Sequence, residues 1–336
     1  MALESLESFW HRKRVFVTGA LGFLGSWLVQ QLIEWNATVV GLVFDRQPAR
    51  DAAEARIREQ YTAVNGRLEE YECLLRGINE YEIDTVIHLG AQPIVGTANR
   101  NPLSTFESNI RGTWNLLEAC RQVSTVKRVV VASSDKAYGN QEELPYTEDM
   151  PLRGQYPYDV SKSCADLIAH TYYATYGLPV CVTRCGNFFG GRDLNFNRIV
   201  PGTIRSVIFN EPPLIRSDGT FVRDYIYVRD VVYAYLELAR QMERPEVHGH
   251  AFNFSNETRL SVLDLTDRIE RLMGRQDLKP QILNEAHAEI KDQYLSSQKA
   301  HDMLGWAPRF TVDDALSETI AWYRDYFERQ KPSVKG

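Results

Sequence analysis

Long apolar runs are missing from this 336-residue chain. Although 44% of its residues are apolar, none of its stretches approaches the ~18 consecutive apolar residues that a membrane-spanning helix requires. The N-terminal MALESLESFWHRKR is acidic, then basic, and has no apolar signal core, so nothing marks it for export and a cytoplasmic location is expected. Cysteine is scarce and unpaired. Cys73, Cys120, Cys164, Cys181 and Cys185 are odd in number and lack CxxC spacing, which argues against a disulfide framework or a zinc site. The seven histidines show no ligand-like grouping beyond the loop pair His248 and His250, so no metal is expected. Positive charge is also short: 38 Lys and Arg stand against 44 Asp and Glu, a net −6. That balance weighs against a nucleic-acid surface and leaves room for a local cationic pocket around one phosphorylated metabolite.

What is present is alternation. RVFVTG, TVVGLVFD, DTVIHLGA, KRVVVASS and PVCVTRCGN read as strands, whereas SWLVQQLIEWN, STFESNIRGTWNLLEACRQ and YDVSKSCADLIAHTYYATYG read as helices, the last ended by Gly177. Strands alternating with helices imply parallel strands joined by crossovers, hence an α/β fold with a Rossmann-type doubly wound parallel sheet. After Asn187, Gly, Pro and Asn break the chain into shorter elements, the texture of a smaller, loop-rich C-terminal substrate domain. The expected division is a dinucleotide-binding domain over 11–187, with 224–243 returning to it as strand and helix, and a substrate-binding part over 188–223 and 244–328.

VTGALGFLGSWL sets Gly19, Gly22 and Gly25 directly after a strand and at the opening of a helix. Glycine permits the tight turn and a close backbone approach to a pyrophosphate, and the helix N-terminus offers unpaired donors and a favourable dipole. Asp45 ends the second strand, where a carboxylate accepts hydrogen bonds from an adenosine ribose and repels a 2′-phosphate, so NAD is favoured over NADP. Arg46, directly after it, pulls the other way.

Tyr158 and Lys162, four positions apart in YDVSK, share one helix face. Alone the pair is an ordinary helix surface; beside a dinucleotide loop it suggests chemistry. An ammonium near a phenol stabilises phenolate, so Lys162 is expected to lower the Tyr158 pKa and to hydrogen-bond a nicotinamide ribose. Tyr158 then serves as the base for a hydroxyl proton as hydride leaves the same carbon. Together with HLGAQP (88–93), SNIRGTWNLLEAC (108–120), SSDKAYG (133–139), RCGNFFGG (184–191) and VRDYIYVRD (222–230), these motifs resemble the extended short-chain dehydrogenase/reductase superfamily that modifies nucleotide sugars. The resemblance covers almost the whole chain.

Within that superfamily, the position after the KRVVVASS strand separates reactions. Ser134, Asp135 and Lys136 are similar to the hydroxyl, Asp, Glu-or-Lys set of nucleotide-sugar 4,6-dehydratases, and with RCGNFFGGRDLNFNRIVP they are most like the CDP-glucose 4,6-dehydratases. The resemblance implies a nucleoside-diphosphate hexose as substrate and NAD as cofactor. Lys136, uncharged, would be the base at C5 and Asp135, protonated, the acid at the C6 hydroxyl, with Ser134 beside the substrate. Because adjacent strand residues point to opposite faces, this strand end must bend for both to reach one sugar. The resemblance further implies dinucleotide contacts from Phe23, Leu24, Leu68, Leu89 and Ala91, diphosphate contacts from Asn187 and Arg223, and substrate contacts from Gln92 and Arg198. It also implies a homodimer through the helices of NIRGTWNLLEAC and CADLIAHTYYATY.

Two departures stand out. VNGRLEE carries Arg67 where relatives often have an adenine-contacting aspartate, so backbone groups of Leu68 are candidates for that end. VRDYIYVRD is closer to the general epimerase and dehydratase pattern. A 4-epimerase or reductase, in which Asp135 and Lys136 only bind hydroxyls, is the alternative enzyme, and a nucleotide-binding regulatory protein is the non-enzymatic one.

Overall fold

The computed structural model describes residues 5–45, 48–285 and 290–330. Among these, thirteen strands follow in chain order: β1 (Arg14–Thr18), β2 (Thr38–Val43), β3 (Thr62–Asn65), β4 (Thr85–His88), β5 (Arg128–Ala132), β6 (Val180–Cys185), β7 (Asn187–Phe189), β8 (Leu214–Ile215), β9 (Val222–Tyr227), β10 (Ala251–Phe254), β11 (Arg259–Ser261), β12 (Gln281–Ile282) and β13 (Asp292–Gln293). Seven form one parallel sheet in the order β10-β6-β5-β4-β1-β2-β3. This is the doubly wound arrangement expected from the alternation.

Period-two alternation within each strand builds two cores. Val15 and Val17 of β1 and Val130 of β5 join one apolar cluster with Leu28 and Leu32 of the helix Phe23–Glu34 and Tyr235 and Leu238 of the helix Val228–Gln241. Phe16 of β1 and Val129 and Val131 of β5 join a second cluster with Leu74 and Ile78 of the helix Tyr71–Glu80, and Leu116 and Leu117 of the helix Gly112–Gln122. Buried on both faces, these strands read as near-continuous apolar runs. The helix Pro157–Tyr176 stops at Gly177, whose φ of 68° lets its N–H reach back to the carbonyls of Tyr172 and Tyr173.

The segment 224–243 returns to the large sheet with its helix alone. β9 instead centres a small sheet, flanked by β11 and β13, with β7 also paired to it. The seventh strand of the large sheet is β10, which lies within the range expected to belong to the substrate-binding part. Alternation identifies a strand and does not choose its sheet, and AFNF is too short a run between HGH and SNET to stand out from a loop. The large sheet's edge strand β3 exposes three of its four residues, which is why no alternation marked it.

Candidate active site

The glycine loop is closed by contacts that a side chain would break. Gly19 has a φ of +69°, and a Cβ there would lie 2.9 Å from Gly90 N; a Cβ on Gly25 would lie 2.0 Å from Gly19 O. Gly22 caps the helix Phe23–Glu34 and donates its N–H to Gly19 O at 2.8 Å. The first helical turn, with Phe23 and Leu24, leaves N–H groups without intrahelical acceptors, a cradle that fits a pyrophosphate. The opposite wall follows β4. Leu89 and Gly90 donate their N–H groups to Thr18 O and Thr18 Oγ1 at 3.3 and 2.9 Å, and Ala91 continues the wall. Thr18 Oγ1 also bonds His88 Nδ1 at 2.7 Å, and His88 Nε2 bonds Thr113 Oγ1 at 3.1 Å. Burial holds His88 down at about 3, so it stays neutral as a structural link.

Asp45 is exposed just past β2. Arg46 lies outside the described residues. Phe44, 68% exposed, is covered by the Arg67 guanidinium 4.4 Å from its ring centroid, so the departure from an acid brings a cation–aromatic pair beside Asp45. The Leu68 carbonyl already accepts from Asn115 Nδ2 at 3.2 Å. Arg50 was not anticipated: it donates to Leu21 O of the glycine loop at 2.7 Å and to Arg192 O at 3.1 Å, while pairing with Glu54. Arg192, 2% exposed, pairs with Asp51 at 2.7 Å and joins the GGRD segment to the dinucleotide helix through Gln30 Oε1.

The bend required after β5 is a 3-10 turn over Asp135–Tyr138, capped by Ser134, whose hydroxyl accepts the Lys136 N–H at 3.2 Å. Side chains there no longer alternate across a sheet. Asp135 is 4% exposed, and burial pushes its carboxyl above the usual carboxylate range against the pull of Lys136, Ser134 and Arg223. Ser134 Oγ donates to Asp135 Oδ1 at 2.9 Å. Lys136 Nζ donates to Gln293 Oε1 on β13 at 2.5 Å. Asp159, in the first turn of the helix Pro157–Tyr176, is pushed by burial to about 6, with Lys136 pulling it down and Asp135 pushing it up.

Tyr158 and Lys162 do share a face, yet their expected electrostatics are reversed. Lys162 Nζ lies 5.9 Å from the Tyr158 ring centroid and donates to Ala132 O at 2.8 Å. Burial holds Lys162 down at about 8. Burial, with Asp135 adding to it, pushes Tyr158 up to about 12, and a hydrogen bond with the Ser134 side chain and the Arg198 charge only partly offset this. Spacing put an ammonium near the phenol; desolvation outweighs that proximity.

On the substrate side, Arg223 is 6% exposed and donates to Lys291 O at 2.7 Å. Its charge acts on Asp135, which places it beside the turn. Arg198 pairs with Asp193 at 2.9 Å and caps the helix Ile199–Ile208. Asn187 is exposed at the start of β7. Gln92 is held from the other side: its N–H donates to Asn109 Oδ1 at 2.7 Å, and Asn109 reaches in from the π-helical turn Glu107–Arg111 and bonds Ser161 Oγ at 2.9 Å. The structure thus gathers Ser134, Asp135, Lys136, Tyr158 and Lys162 beyond the C-terminal end of β5, where ligands bind in open α/β sheets, with Arg223 facing them from the start of β9. Besides Gln293, Asp224 escaped the sequence reading: it is 1% exposed, its Oδ1 is unpartnered among the described residues, and burial pushes it to about 7. It stood in a quoted motif next to Arg223, but nothing in that spacing marks which neighbour points inward. No group of three or more metal-ligating side chains occurs among the described residues, nor any helix long and apolar enough to cross a membrane.

Comparison with known proteins places this geometry. The model of the GDP-mannose 4,6-dehydratase family matches residues 16–319. A CDP-glucose 4,6-dehydratase of Salmonella typhimurium is 32% identical over 333 residues, covering 95% of this chain and 92% of that one. Among solved structures, a dTDP-glucose 4,6-dehydratase from Streptomyces venezuelae with NAD bound superposes with a TM-score of 0.86 at 25% identity, over 95% of this chain and 99% of that one. A UDP-glucose 4-epimerase from Thermotoga maritima, solved with UDP-glucose, gives 0.85 at 26% identity, over 94% and 99%.

Proposed function

The chain belongs to the GDP-mannose 4,6-dehydratase family, and from that premise we propose that it is an NAD-dependent nucleotide-sugar 4,6-dehydratase, acting on a nucleoside-diphosphate hexose with CDP-glucose favoured. The observation that carries the reaction type is the 3-10 turn after β5, which presents a buried carboxyl raised in pKa, Asp135, and an amine, Lys136, beside Tyr158. A hydroxyl-binding turn in an epimerase has no need of either group as acid or base.

NAD fits the glycine cradle through Gly19, Gly22, Phe23, Leu24 and Gly25, with Asp45 at its ribose and Lys162 at its nicotinamide ribose. When bound, NAD would supply the hydride acceptor for C4 and the hydride donor for C6. Tyr158 accepts the proton of the C4 hydroxyl, and the resulting C4 ketone acidifies the hydrogen on C5. Lys136 takes that proton through its lone pair, so the C5–H bond breaks, an N–H bond forms and the electrons move into the C4 enolate. Asp135 gives its proton to the C6 hydroxyl, the enolate electrons form a C5–C6 double bond as the C6–O bond breaks and water departs, and Lys136 returns a proton to C5 when hydride adds at C6. A neutral Asp135 helps twice, because losing its charge also removes its repulsion of the Tyr158 phenolate. Arg223 and Asn187 receive the diphosphate, with Arg198 and Gln92 further along the substrate; the fixed fork of arginine suits that task. Leu103, Trp114 and Leu167, 70%, 42% and 57% exposed on the helices Pro102–Phe106, Gly112–Gln122 and Pro157–Tyr176, supply the apolar face of a homodimer.

The test is mass spectrometry of the protein incubated with CDP-, UDP-, GDP- and dTDP-hexoses, with and without NAD. Loss of one water from a nucleotide sugar is expected. An unchanged mass with a new stereoisomer would replace this reading with the 4-epimerase.

A further inference from the structure

Gln293 is fully buried on β13, opposite Arg223 of β9, and its Oε1 accepts from Lys136 Nζ at 2.5 Å while its Nε2 is buried with no partner among the described residues. The strand that carries it is pinned: Tyr146 donates its N–H to Tyr294 O at 2.9 Å, and Ser296 donates its N–H to Tyr146 O at 3.0 Å. Half of a buried amide left unpaired disfavours folding. Its use is in the chemistry.

Building on the dehydratase reading, we propose that Gln293 is a positioning residue that aims the Lys136 amine at C5 and, being an amide, favours its ammonium less than a carboxylate at the same place would. An uncharged lysine has two N–H groups and one lone pair, and an amide oxygen accepts only. Binding an N–H to Gln293 Oε1 therefore turns the lone pair away from Gln293. Because the amide is neutral, it does this without the attraction to ammonium that a carboxylate at the same place would exert. Charged groups that act here include Asp135, adjacent in the turn, and Asp159, from the first turn of the helix Pro157–Tyr176, while Arg223 acts on Asp135 from β9. Burial raises both carboxyls, which weakens their hold on an ammonium. A carboxylate at 293 would tip that balance.

The experiment compares wild type, Gln293→Glu and Gln293→Met. Lys136 is first titrated without substrate, by competitive acetylation with acetic anhydride across pH and mass spectrometry of the peptide that carries it. Gln293→Glu is expected to move the midpoint up by about one to three pH units, and the acidic limb of kcat/KM for dehydration is expected to move with it, since the base must be uncharged to act. Gln293→Met is expected not to raise the midpoint and to lower kcat about tenfold with KM unchanged, the signature of lost orientation. An unmoved midpoint in Gln293→Glu overturns the proposal, as does full activity in Gln293→Met, and the methionine variant carries the test if the glutamate variant fails to fold. Failure of wild type to dehydrate any nucleotide sugar overturns the functional reading beneath the proposal, and the substrate-free titration keeps that failure distinct.

Discussion

The two ends of the site are built in opposite ways. At the dinucleotide end, recognition is a matter of backbone: three glycines, a helix N-terminus and a wall fixed by Thr18 and His88, with no buried charge required to change state. At the sugar end, Asp135, Asp159, Asp224 and Lys162 are buried ionisable groups, each shifted toward its neutral form by desolvation. One end binds a constant group and is rigid and cheap to specify. The other must move protons, and it keeps groups whose burial opposes folding. Stored electrostatic strain of this kind is characteristic of functional sites.

Substitutions at the sugar end should therefore remove turnover while sparing the cofactor. Tyr158→Phe is expected to lower kcat about 10³-fold with NAD affinity retained, measured by steady-state kinetics beside calorimetric titration. A comparable loss of NAD binding would dissolve the division between the two ends. Lys136→Met is expected to lower dehydration about 10²-fold while C4 oxidation continues, so that reduced nicotinamide accumulates in a single turnover. Without that accumulation, Lys136 acts elsewhere than at C5.

The dinucleotide end should show the converse. Gly25→Ala, whose methyl would meet Gly19 O, is expected to weaken NAD binding about tenfold or more and to leave kcat at saturating NAD within about twofold. A fall in kcat at saturation would mean that the loop also sets the chemistry.

The smallest expected effect concerns stability. In the folded protein the Asp224 carboxyl is raised to about 7, so the folded state holds a proton that the unfolded chain releases at about 4. That contribution is complete below about pH 4 and is lost as pH rises toward about 7. Asp224→Asn should therefore gain on wild type across this interval, with Tm higher by about 2–4 °C at pH 8 and no gain near pH 4. A pH-independent difference would assign the effect to packing.

The same contrast decides what could be read from the sequence. Local features were legible: the glycine loop, the alternation of β1, β2, β4, β5 and β6, the Gly177 stop, and the four-residue spacing of Tyr158 and Lys162 all follow from neighbours in the chain. Contacts across the chain were not. Gln293 lies 157 positions from the lysine that it touches, in a segment whose composition resembles any loop. β9 left the large sheet where it was expected, because alternation reports burial of a face and carries no information about which sheet supplies it, and β10, in that sheet instead, was too short to be read as a strand. The direction of the Tyr158 shift was misread because a spacing argument counts one ammonium and cannot weigh the desolvation imposed by the whole surrounding fold.

The most direct measurement is a reaction run in deuterated water with CDP-glucose and NAD, followed by mass spectrometry and NMR of the sugar. If Lys136 and Asp135 work as proposed, the product is lighter by one water and carries solvent deuterium at C5, with the original C4 hydrogen recovered at C6. A stereoisomer of unchanged composition with no deuterium at C5 would contradict the account, leaving the turn after β5 as a hydroxyl-binding device in an epimerase.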